Sequence, residues 1–398
     1  MIRRVATSEL IVGMYIHDLD ADWLEHPFVR NQFLLEEEAE IQKIASAGLR
    51  HVYIDTDQGL DIETAVDIDE LEGQLQAELE SLAEDEQVAP KVAAIDERPK
   101  AAKLFNEATS VIKNLMQAAR SGKQVEVAAV SPLAEQTVAT VLRNPHALTS
   151  IARIKTKDEY TFMHCVSVAA LLTTFGREMQ MSQDDLKELA IGGLIHDLGK
   201  TMVRQDVLNK PGKLDKEEFN HMRKHVDYSG EMIEGIPQVS QIAHHVTMCH
   251  HERMDGTGYP KGLKGDEISQ VGRMSAIVDV YDALTSVRVY KAAWEPTQAM
   301  KKLIEWSPAH FDRELVQRFA SCIGIFPVGS VVALESGRVG IVMDQNQDLL
   351  KPVIRIVYNR KFNRYESVRD LDLAHHADEQ IAEAISPQSI NLDITKFV

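Results

Sequence analysis

Two short motifs concentrate the residue types that bind metal ions. The first, HDLGK at 196–200, places an imidazole, a carboxylate and a lysine side by side. The second, HHERMDGTGYP at 250–260, places two adjacent imidazoles before a loop that contains glycine and proline. Neutral imidazole is the commonest protein ligand for transition metals, and carboxylates join it in mixed sites. The two motifs therefore predict a metal site.

The histidines are clustered along the chain. Eight of the 15 histidines lie between residues 164 and 251, which is less than a quarter of the sequence. Five histidines and two aspartates form the candidate ligand set: His164, His196, Asp197, His225, His250, His251 and Asp279. An isolated histidine on an apolar helix face is more often structural, but that interpretation would have to explain all of these residues at once. His221, His244 and His245 stay open as further ligands or supporting residues.

The adjacent pairs suggest two metals rather than one. Neighbouring residues on a helix diverge by about 100°, so one member of a pair can bind one cation while its neighbour binds a second. Asp197 is the natural carboxylate to bridge them. Two divalent cations can activate water and stabilise the charge of a phosphoryl group, which indicates phosphoryl-transfer chemistry. Imidazole and carboxylate ligands suit Fe, Mn, Zn or Co, and the sequence does not choose among them.

Helices must position these ligands. Apolar residues recur with helical spacing from about residue 100 to 325, and each candidate ligand lies on a different predicted helix or near its end. All-α proteins build metal sites in this way, between facing helices. The predicted helices span 101–119, 133–142, 158–179, 184–195, 216–233, 238–249, 271–284 and 297–305.

The flanking regions have a different character. Residues 1–65 predict a small α/β domain, with strands at 10–12, 14–16 and 51–55 and a helix at 37–47. The strongly acidic residues 66–99 predict a linker, partly helical, and residues 326–398 a small β-rich unit with strands at 331–334, 339–343 and 353–358. The fold class is therefore mainly α, a helical domain at 100–325 with small additions at both ends.

Composition excludes several classes of protein. A net charge of −18 argues against a nucleic-acid polymer as partner but allows a small phosphate-bearing ligand. No apolar run approaches the ~18 residues that span a bilayer, and the first residues lack the long apolar stretch of a signal peptide, so we expect no membrane insertion. Three cysteines without CxxC spacing favour a reducing cytoplasm.

The combination of HDLGK and HHERMDGTGYP resembles the HD-GYP domain, a branch of the HD metal-dependent phosphohydrolases. The resemblance covers roughly residues 145–325, and residues 1–60 resemble a domain of unknown function that often precedes HD-GYP in bacterial proteins. It implies an HD-type helical bundle that hydrolyses the second messenger cyclic di-GMP to pGpG, GMP or both. The family uses a bi- or trinuclear centre, often iron and sometimes manganese.

The resemblance also implies roles for individual residues. The seven candidate ligands match the family's metal ligands, and Lys200 matches a lysine near the bridging water or phosphate. Arg288 and Lys291 match positions that grip substrate phosphates, while Gly258, Tyr259 and Pro260 form a loop that shapes the substrate pocket. Independently of the resemblance, Asp282 is a candidate to polarise either a metal ligand or the attacking hydroxide.

One position departs from the family. Trinuclear members carry a glutamate four residues before the first histidine, where this chain has Tyr160. The sequence therefore predicts two metals and not a third. The alternatives are a weakly active or inactive receptor for cyclic di-GMP, and an HD enzyme that acts on another nucleotide. A homodimer or a signalling partner is compatible with either.

Overall fold

The computed structural model describes residues 1–20, 32–82, 91–123, 125–152, 160–210, 212–286, 293–376, 378–390, 392 and 396–397. The chain divides into two compact units, one made of Met1–Glu78 and Arg204–Met222, the other of Leu79–Val203 and Arg223–Val398. The α-helices are α1 (Glu38–Ser46), α2 (Ile68–Ser81), α3 (Ala94–Arg120), α4 (Ser131–Arg143), α5 (Pro145–Ala152), α6 (Tyr160–Glu178), α7 (Gln183–Ile195), α8 (Gln205–Leu208), α9 (Lys216–Arg223), α10 (His225–Ile233), α11 (Gln241–Cys249), α12 (Gln270–Thr285), α13 (Pro296–Trp306) and α14 (Arg313–Ile323). The strands are β1 (Ile2–Ala6), β2 (Tyr15–Asp18), β3 (Phe33–Leu34), β4 (His51–Asp55), β5 (Val66–Asp67), β6 (Val331–Leu334), β7 (Arg338–Asp344), β8 (Val353–Asn359), β9 (Arg364–Asp372) and β10 (Ile381–Ala384).

The first unit contains an antiparallel sheet with the strand order β3-β2-β4-β1-β5. Strand β4 alternates buried and half-buried residues, and Val52 and Ile54 join a core that includes Ile41 and Ile44 of α1. This confirms the strand predicted at 51–55 and the helix predicted at 37–47. The period-two pattern of β4 is therefore the signature of a sheet with one covered face.

The strand predicted at 10–12 is wrong. Those residues lead into a turn, and Gly13 has φ +99°, a left-handed conformation that glycine adopts without strain. The first strand is β1, which sequence analysis missed because two arginines interrupt its apolar pattern. Arg3 is held there by the carboxylate of Asp61. The strand predicted at 14–16 is present as β2, one residue further along.

The second unit is dominated by helices, as predicted. Helices α6, α7, α11 and α12 coincide with predicted helices to within a few residues. The helix predicted at 216–233 is wrong as a single element, because the chain breaks at Lys224 and forms α9, which belongs almost entirely to the first unit, and α10, which belongs to the second. The acidic segment predicted as a linker carries α2, and α3 begins inside it at Ala94.

Two glycines let α7 pack closely against its neighbours. A Cβ atom on Gly192 would lie 2.7 Å from the Val246 Cβ of α11, and one on Gly193 would lie 2.6 Å from the Ala169 Cα of α6. Such distances are too short for real Cβ contacts, so only glycine permits this approach. Helix α7 consequently lies between α6 and α11, which bring His164 and His250 to its C-terminal end.

The C-terminal part of the second unit is an antiparallel sheet in the order β10-β6-β7-β8-β9. Apolar residues pack on both faces, so every residue of β6 is buried. The three predicted strands are confirmed as β6, β7 and β8. Strands β9 and β10 were not predicted, because β9 is an edge strand with mostly polar, exposed residues.

Within the described residues, no helix is long and apolar enough to cross a bilayer. Cys165, Cys249 and Cys322 are buried and form no disulfide.

Candidate metal centre

The seven predicted ligands converge at one place in the second unit. His164 lies in the second turn of α6, and His196 and Asp197 follow the last residue of α7. His225 begins α10, His250 and His251 follow α11, and Asp279 lies within α12. Helix ends supply most of these side chains, because there the backbone leaves the helix and adjacent residues can face different partners.

The ligand atoms form overlapping groups. Among the described residues, three sets of donor atoms lie within 4.8 Å of one another: His164, His196 and Asp279; His196, Asp197 and His250; and His225, His250 and His251. In the first set, His164 Nε2 lies 2.9 Å and His196 Nε2 3.6 Å from Asp279 Oδ1. In the last set, His225 Nε2 and His250 Nε2 are 3.3 Å apart.

Asp197 joins the two halves of this cluster. Its Oδ2 lies 3.4 Å from His196 Nε2 and 3.6 Å from His164 Nε2. Its Oδ1 lies on the other side, 3.5 Å from His225 Nε2 and 3.9 Å from His250 Nε2. One carboxylate therefore presents one oxygen to each group of imidazoles, which is the arrangement of a bridging ligand.

The cluster fits a metal because its central atoms lack other partners. His196 Nε2 and Asp197 Oδ1 are fully buried and have no hydrogen-bond partner among the described residues. A buried polar atom without a partner costs about 1–3 kcal/mol, so such atoms are rare unless they bind something. Both atoms point into the cluster, and nitrogen and carboxylate oxygen are the donors expected of a transition-metal site.

Other protein atoms orient the imidazoles. His196 Nδ1 donates to the Gly193 carbonyl at 2.8 Å, and His250 Nδ1 donates to the Thr247 carbonyl at 2.7 Å. His164 Nδ1 lies 2.7 Å from Asp282 Oδ2. When Nδ1 carries the proton, Nε2 has the lone pair that a metal needs, so these contacts select the binding tautomer.

The charges of Asp197, Lys200 and His196 stabilise one another within the cluster. Burial opposes the ionisation of Asp197, but Lys200 and His196 hold its pKa well below the usual range. Burial also opposes a charge on His196, yet the neighbouring Asp197 and Asp279 raise its pKa to about 10. Burial and the charge of His196 lower the pKa of His250 to about 3. A cation entering the site would thus meet ionised carboxylates and would have to displace a proton from His196.

The two flanking candidates Lys200 and Asp282 lie where they can act on the cluster. The Lys200 ammonium forms an ion pair with Asp197 Oδ2, and its side chain is partly exposed. Asp282 is buried behind His164, so it can orient this imidazole but faces its Nδ1 and not its Nε2. Of the two predicted roles of Asp282, this placement allows the one that acts through a ligand, and the role stays a prediction.

The GYP loop folds back onto the histidine pair. Tyr259 N donates to the His251 carbonyl at 3.1 Å, and the Tyr259 ring stacks on the His251 ring with 4.6 Å between centroids. Gly258 is buried, and a Cβ there would lie 2.6 Å from the His251 carbonyl oxygen. The Tyr259–Pro260 peptide is cis. Gly258 and Tyr259 therefore contact the candidate ligand His251 directly.

The structure does not place every predicted residue in the ligand cluster. Arg288 and Lys291 lie outside the described residues, as does the side chain of Tyr160. His221 Nε2 accepts the Arg204 N–H, and His244 and His245 contact each other. None of these three histidines belongs to a ligand group among the described residues.

Two residues beside the cluster were not predicted from the sequence. Glu252 is buried, and its carboxylate accepts the backbone N–H groups of Lys261 at 2.8 Å and Leu263 at 3.0 Å. The Arg223 guanidinium lies over the Tyr259 ring, 4.7 Å from its centroid. The position of Glu252 inside the second motif was a signal for a role, whereas nothing near Arg223 pointed to Tyr259.

Comparisons with known families cover most of the chain. A family profile for a domain of unknown function, DUF3391, matches residues 2–130, and an HD domain profile matches residues 132–315. A profile for a KOW domain associated with the HD domain matches residues 331–393. The seven candidate ligands all lie within the HD match.

Individual proteins resemble the chain over different lengths. The cyclic di-GMP phosphodiesterase PA4108 of Pseudomonas aeruginosa is 38% identical over 366 residues, 91% of this chain and 86% of that protein. The 3′3′-cGAMP-specific phosphodiesterase 2 of Vibrio cholerae is 33% identical over 165 residues, 41% of this chain and 32% of that protein. Among solved structures, Bd1817, an HDG"Y"P protein from Bdellovibrio bacteriovorus, is similar with a TM-score of 0.49 and 18% identity over 80% of this chain and 98% of that one.

Proposed function

The chain belongs to the HD-GYP family of metal-dependent phosphodiesterases, and on that premise we propose that it hydrolyses cyclic di-GMP to linear pGpG, GMP or both. The position of Asp197 supports this proposal most strongly. Its two oxygens face two separate groups of imidazoles, as a two-metal phosphodiesterase requires. The three buried, unpaired cysteines agree with a cytoplasmic location, which is also part of the proposal.

Seven residues would hold two divalent cations, which we propose are iron or manganese. Asp279 with His164 and His196 would hold one, His225 with His250 and His251 the other, and Asp197 would bridge them. When bound, such cations supply Lewis acidity for the phosphate and lower the pKa of water. A third cation is not proposed, because position 160 carries a tyrosine.

The protein residues then prepare the reaction. Lys200, paired with Asp197, supplies a partly exposed ammonium group that can stabilise charge on a phosphate oxygen as the phosphodiester bond is attacked. Asp282 accepts a hydrogen bond from His164 Nδ1–H and keeps that imidazole in its binding orientation. Arg288 and Lys291 are proposed to grip the substrate phosphates, Arg288 through its planar guanidinium.

The test replaces the central pair of ligands. We expect H196A/D197A, loaded with Mn²⁺ or anaerobically with Fe²⁺, to lose hydrolysis of cyclic di-GMP. Chromatography of the products pGpG and GMP measures the hydrolysis. The double variant H244A/H245A removes an adjacent pair outside the ligand groups and should keep wild-type turnover. Wild-type turnover by H196A/D197A would contradict the proposal. A parallel assay with 3′3′-cGAMP examines whether the substrate is another cyclic dinucleotide.

A receptor function predicts a different result in the same assay. The chain would then bind cyclic di-GMP with its cations in place and release no pGpG or GMP over many hours. The candidate ligands and the partly exposed Lys200 ammonium beside Asp197 support the enzyme, because together they provide the cations and the charge stabilisation that hydrolysis needs.

A further inference from the structure

The imidazoles of the metal centre are not held equally well. Three of them have a hydrogen bond from Nδ1 to a fixed partner: His164 to Asp282, His196 to the Gly193 carbonyl, and His250 to the Thr247 carbonyl. His251 forms no side-chain hydrogen bond to any described residue. Its Nδ1 lies 3.8 Å from Asp279 Oδ2, and its side chain is 23% exposed, against 2% or less for the other four histidines.

An aromatic contact takes the place of the missing hydrogen bond. The Tyr259 ring lies nearly parallel to the His251 ring, with an interplanar angle of 28° and a centroid distance of 4.6 Å. On the Tyr259 ring also lies the Arg223 guanidinium, 4.7 Å from the centroid. Tyr259 contacts a second ligand as well, since its ring meets that of His225 edge to face at 6.3 Å. The phenol ring therefore packs against two candidate ligands of the same half of the cluster.

The loop that carries Tyr259 is anchored to the backbone beside His251. Buried Glu252 accepts two N–H groups from the residues after the GYP sequence, Lys261 and Leu263. Gly258 packs against the backbone at 251–253, where a Cβ would approach to 2.4 Å. These contacts hold Tyr259 over His251 even though the surrounding chain has little regular secondary structure.

We propose that Tyr259, braced by Arg223, is a positioning residue that fixes His251 and thereby sets the affinity of the cation shared by Asp197, His225, His250 and His251. The cation on the other side, between His164, His196 and Asp279, does not depend on the loop. This inference rests on the proposed two-metal function. It adds that the affinity of only one of the two cation sites depends on Tyr259. The GYP sequence then acts on the metal centre itself and not only on the substrate pocket.

Manganese titration of the metal-free full-length chain tests the proposal. Equilibrium dialysis against graded free Mn²⁺, followed by metal analysis, gives the number of bound ions and the affinity of each. We expect Y259L to weaken one of two ions by about 10- to 100-fold, the usual effect of losing a residue that orients a ligand, and to leave the other unchanged. Y259F keeps the ring and should bind both ions as the wild type does.

Three further variants locate the effect. H251A should weaken the same ion as Y259L, and R223M should weaken it by about two- to fivefold through loss of the cation–π contact. Y365L removes an exposed tyrosine of β9 and should change neither ion. Circular dichroism checks that each variant is folded. If Y259L does not fold, the comparison of the single variants R223M and Y259F tests the proposal instead.

The outcomes separate the two proposals. Wild-type protein that binds no Mn²⁺ overturns the proposed function and this inference with it. Wild-type protein that binds two ions, with unchanged affinities in folded Y259L or R223M, overturns only the inference. Equal weakening of both ions by Y259L also overturns it, because the loop would then support the whole centre.

Discussion

Replacement of Gly199 by alanine should disable the metal centre without unfolding the protein. A Cβ atom at this position would lie 2.0 Å from the His225 carbonyl oxygen and 2.5 Å from the Ser229 nitrogen, both backbone atoms of α10. Real Cβ contacts are essentially never shorter than 3.0 Å, so α10 and residue 199 would have to separate by about 1 Å. No side-chain rotation can relieve a contact with backbone.

That displacement is large for a ligand and modest for a fold. Metal–ligand distances tolerate about 0.2 Å, and a misplacement of about 1 Å costs roughly 100-fold in rate. Overpacking of this kind costs about 1–3 kcal/mol of unfolding free energy, which a chain of this size can absorb. We therefore expect G199A to lose about 100-fold or more in turnover and to weaken the ion that His225 binds, while it still unfolds cooperatively.

The assay compares two glycine-to-alanine variants. Gly73 lies inside α2 with open space around it, so G73A should keep wild-type turnover and gain about 0.5–1 kcal/mol from the higher helix propensity of alanine. Turnover of cyclic di-GMP, Mn²⁺ content and thermal unfolding are measured for both. If G199A bound Mn²⁺ and turned over substrate as the wild type does, the close approach of α10 would not be what positions His225.

Three other predictions follow from the contacts around the cluster. D282A should weaken binding of the ion at His164 by about 10- to 100-fold in Mn²⁺ titration, because Nδ1 loses the carboxylate that orients the ring; equal affinity in D282A and wild type would contradict this. E252A should lower the urea midpoint, because the two partly buried N–H groups of Lys261 and Leu263 lose their hydrogen bonds to the carboxylate, at about 0.5–1.5 kcal/mol each. An unchanged midpoint would show that the GYP loop is held by other contacts. Metal affinity should rise by up to about tenfold per pH unit between roughly pH 6.5 and 9. The reason is that His196 has a pKa of about 10 in the folded protein, above its unfolded value, so a cation displaces its proton more easily as pH increases. Because of this raised pKa, the metal-free protein loses stability over this pH range while the metal-loaded protein does not. The increase in Tm caused by Mn²⁺ should therefore grow with pH, and a constant increase would refute His196 as a metal ligand.

The helical core and the ligand set could be predicted from the sequence to a large extent. Apolar residues at helical spacing located α6, α7, α11 and α12, because each helix buries one stripe against its neighbours. The motifs then supplied chemically suitable side chains at the ends of those helices. The strand β1 and the break at Lys224 escaped, since two arginines conceal the alternation of β1 and no proline or glycine marks the break.

The flanking β units show the same limit. Strands β6, β7 and β8 have apolar residues that the core buries, whereas β9 is recognisable only by its pairing with β8. An edge strand with exposed polar residues has no period that separates it from a loop. Its assignment therefore depends on the backbone hydrogen bonds to β8, the preceding strand of the hairpin, and not on a pattern within β9 itself.

Residue types and their spacing determined which side chains could bind cations, because ligand chemistry belongs to the side chain itself. Which oxygen of Asp197 faces which imidazoles was decided by the tertiary structure, as were the partner of His164 and the stack of His251, Tyr259 and Arg223. These relations depend on distances of a few ångströms between helices that are remote in sequence. Glycines at 192, 193 and 199 set those distances by allowing the helix backbones to approach closely. The sequence shows that these residues are glycines, but only the tertiary structure shows which atoms lie against them.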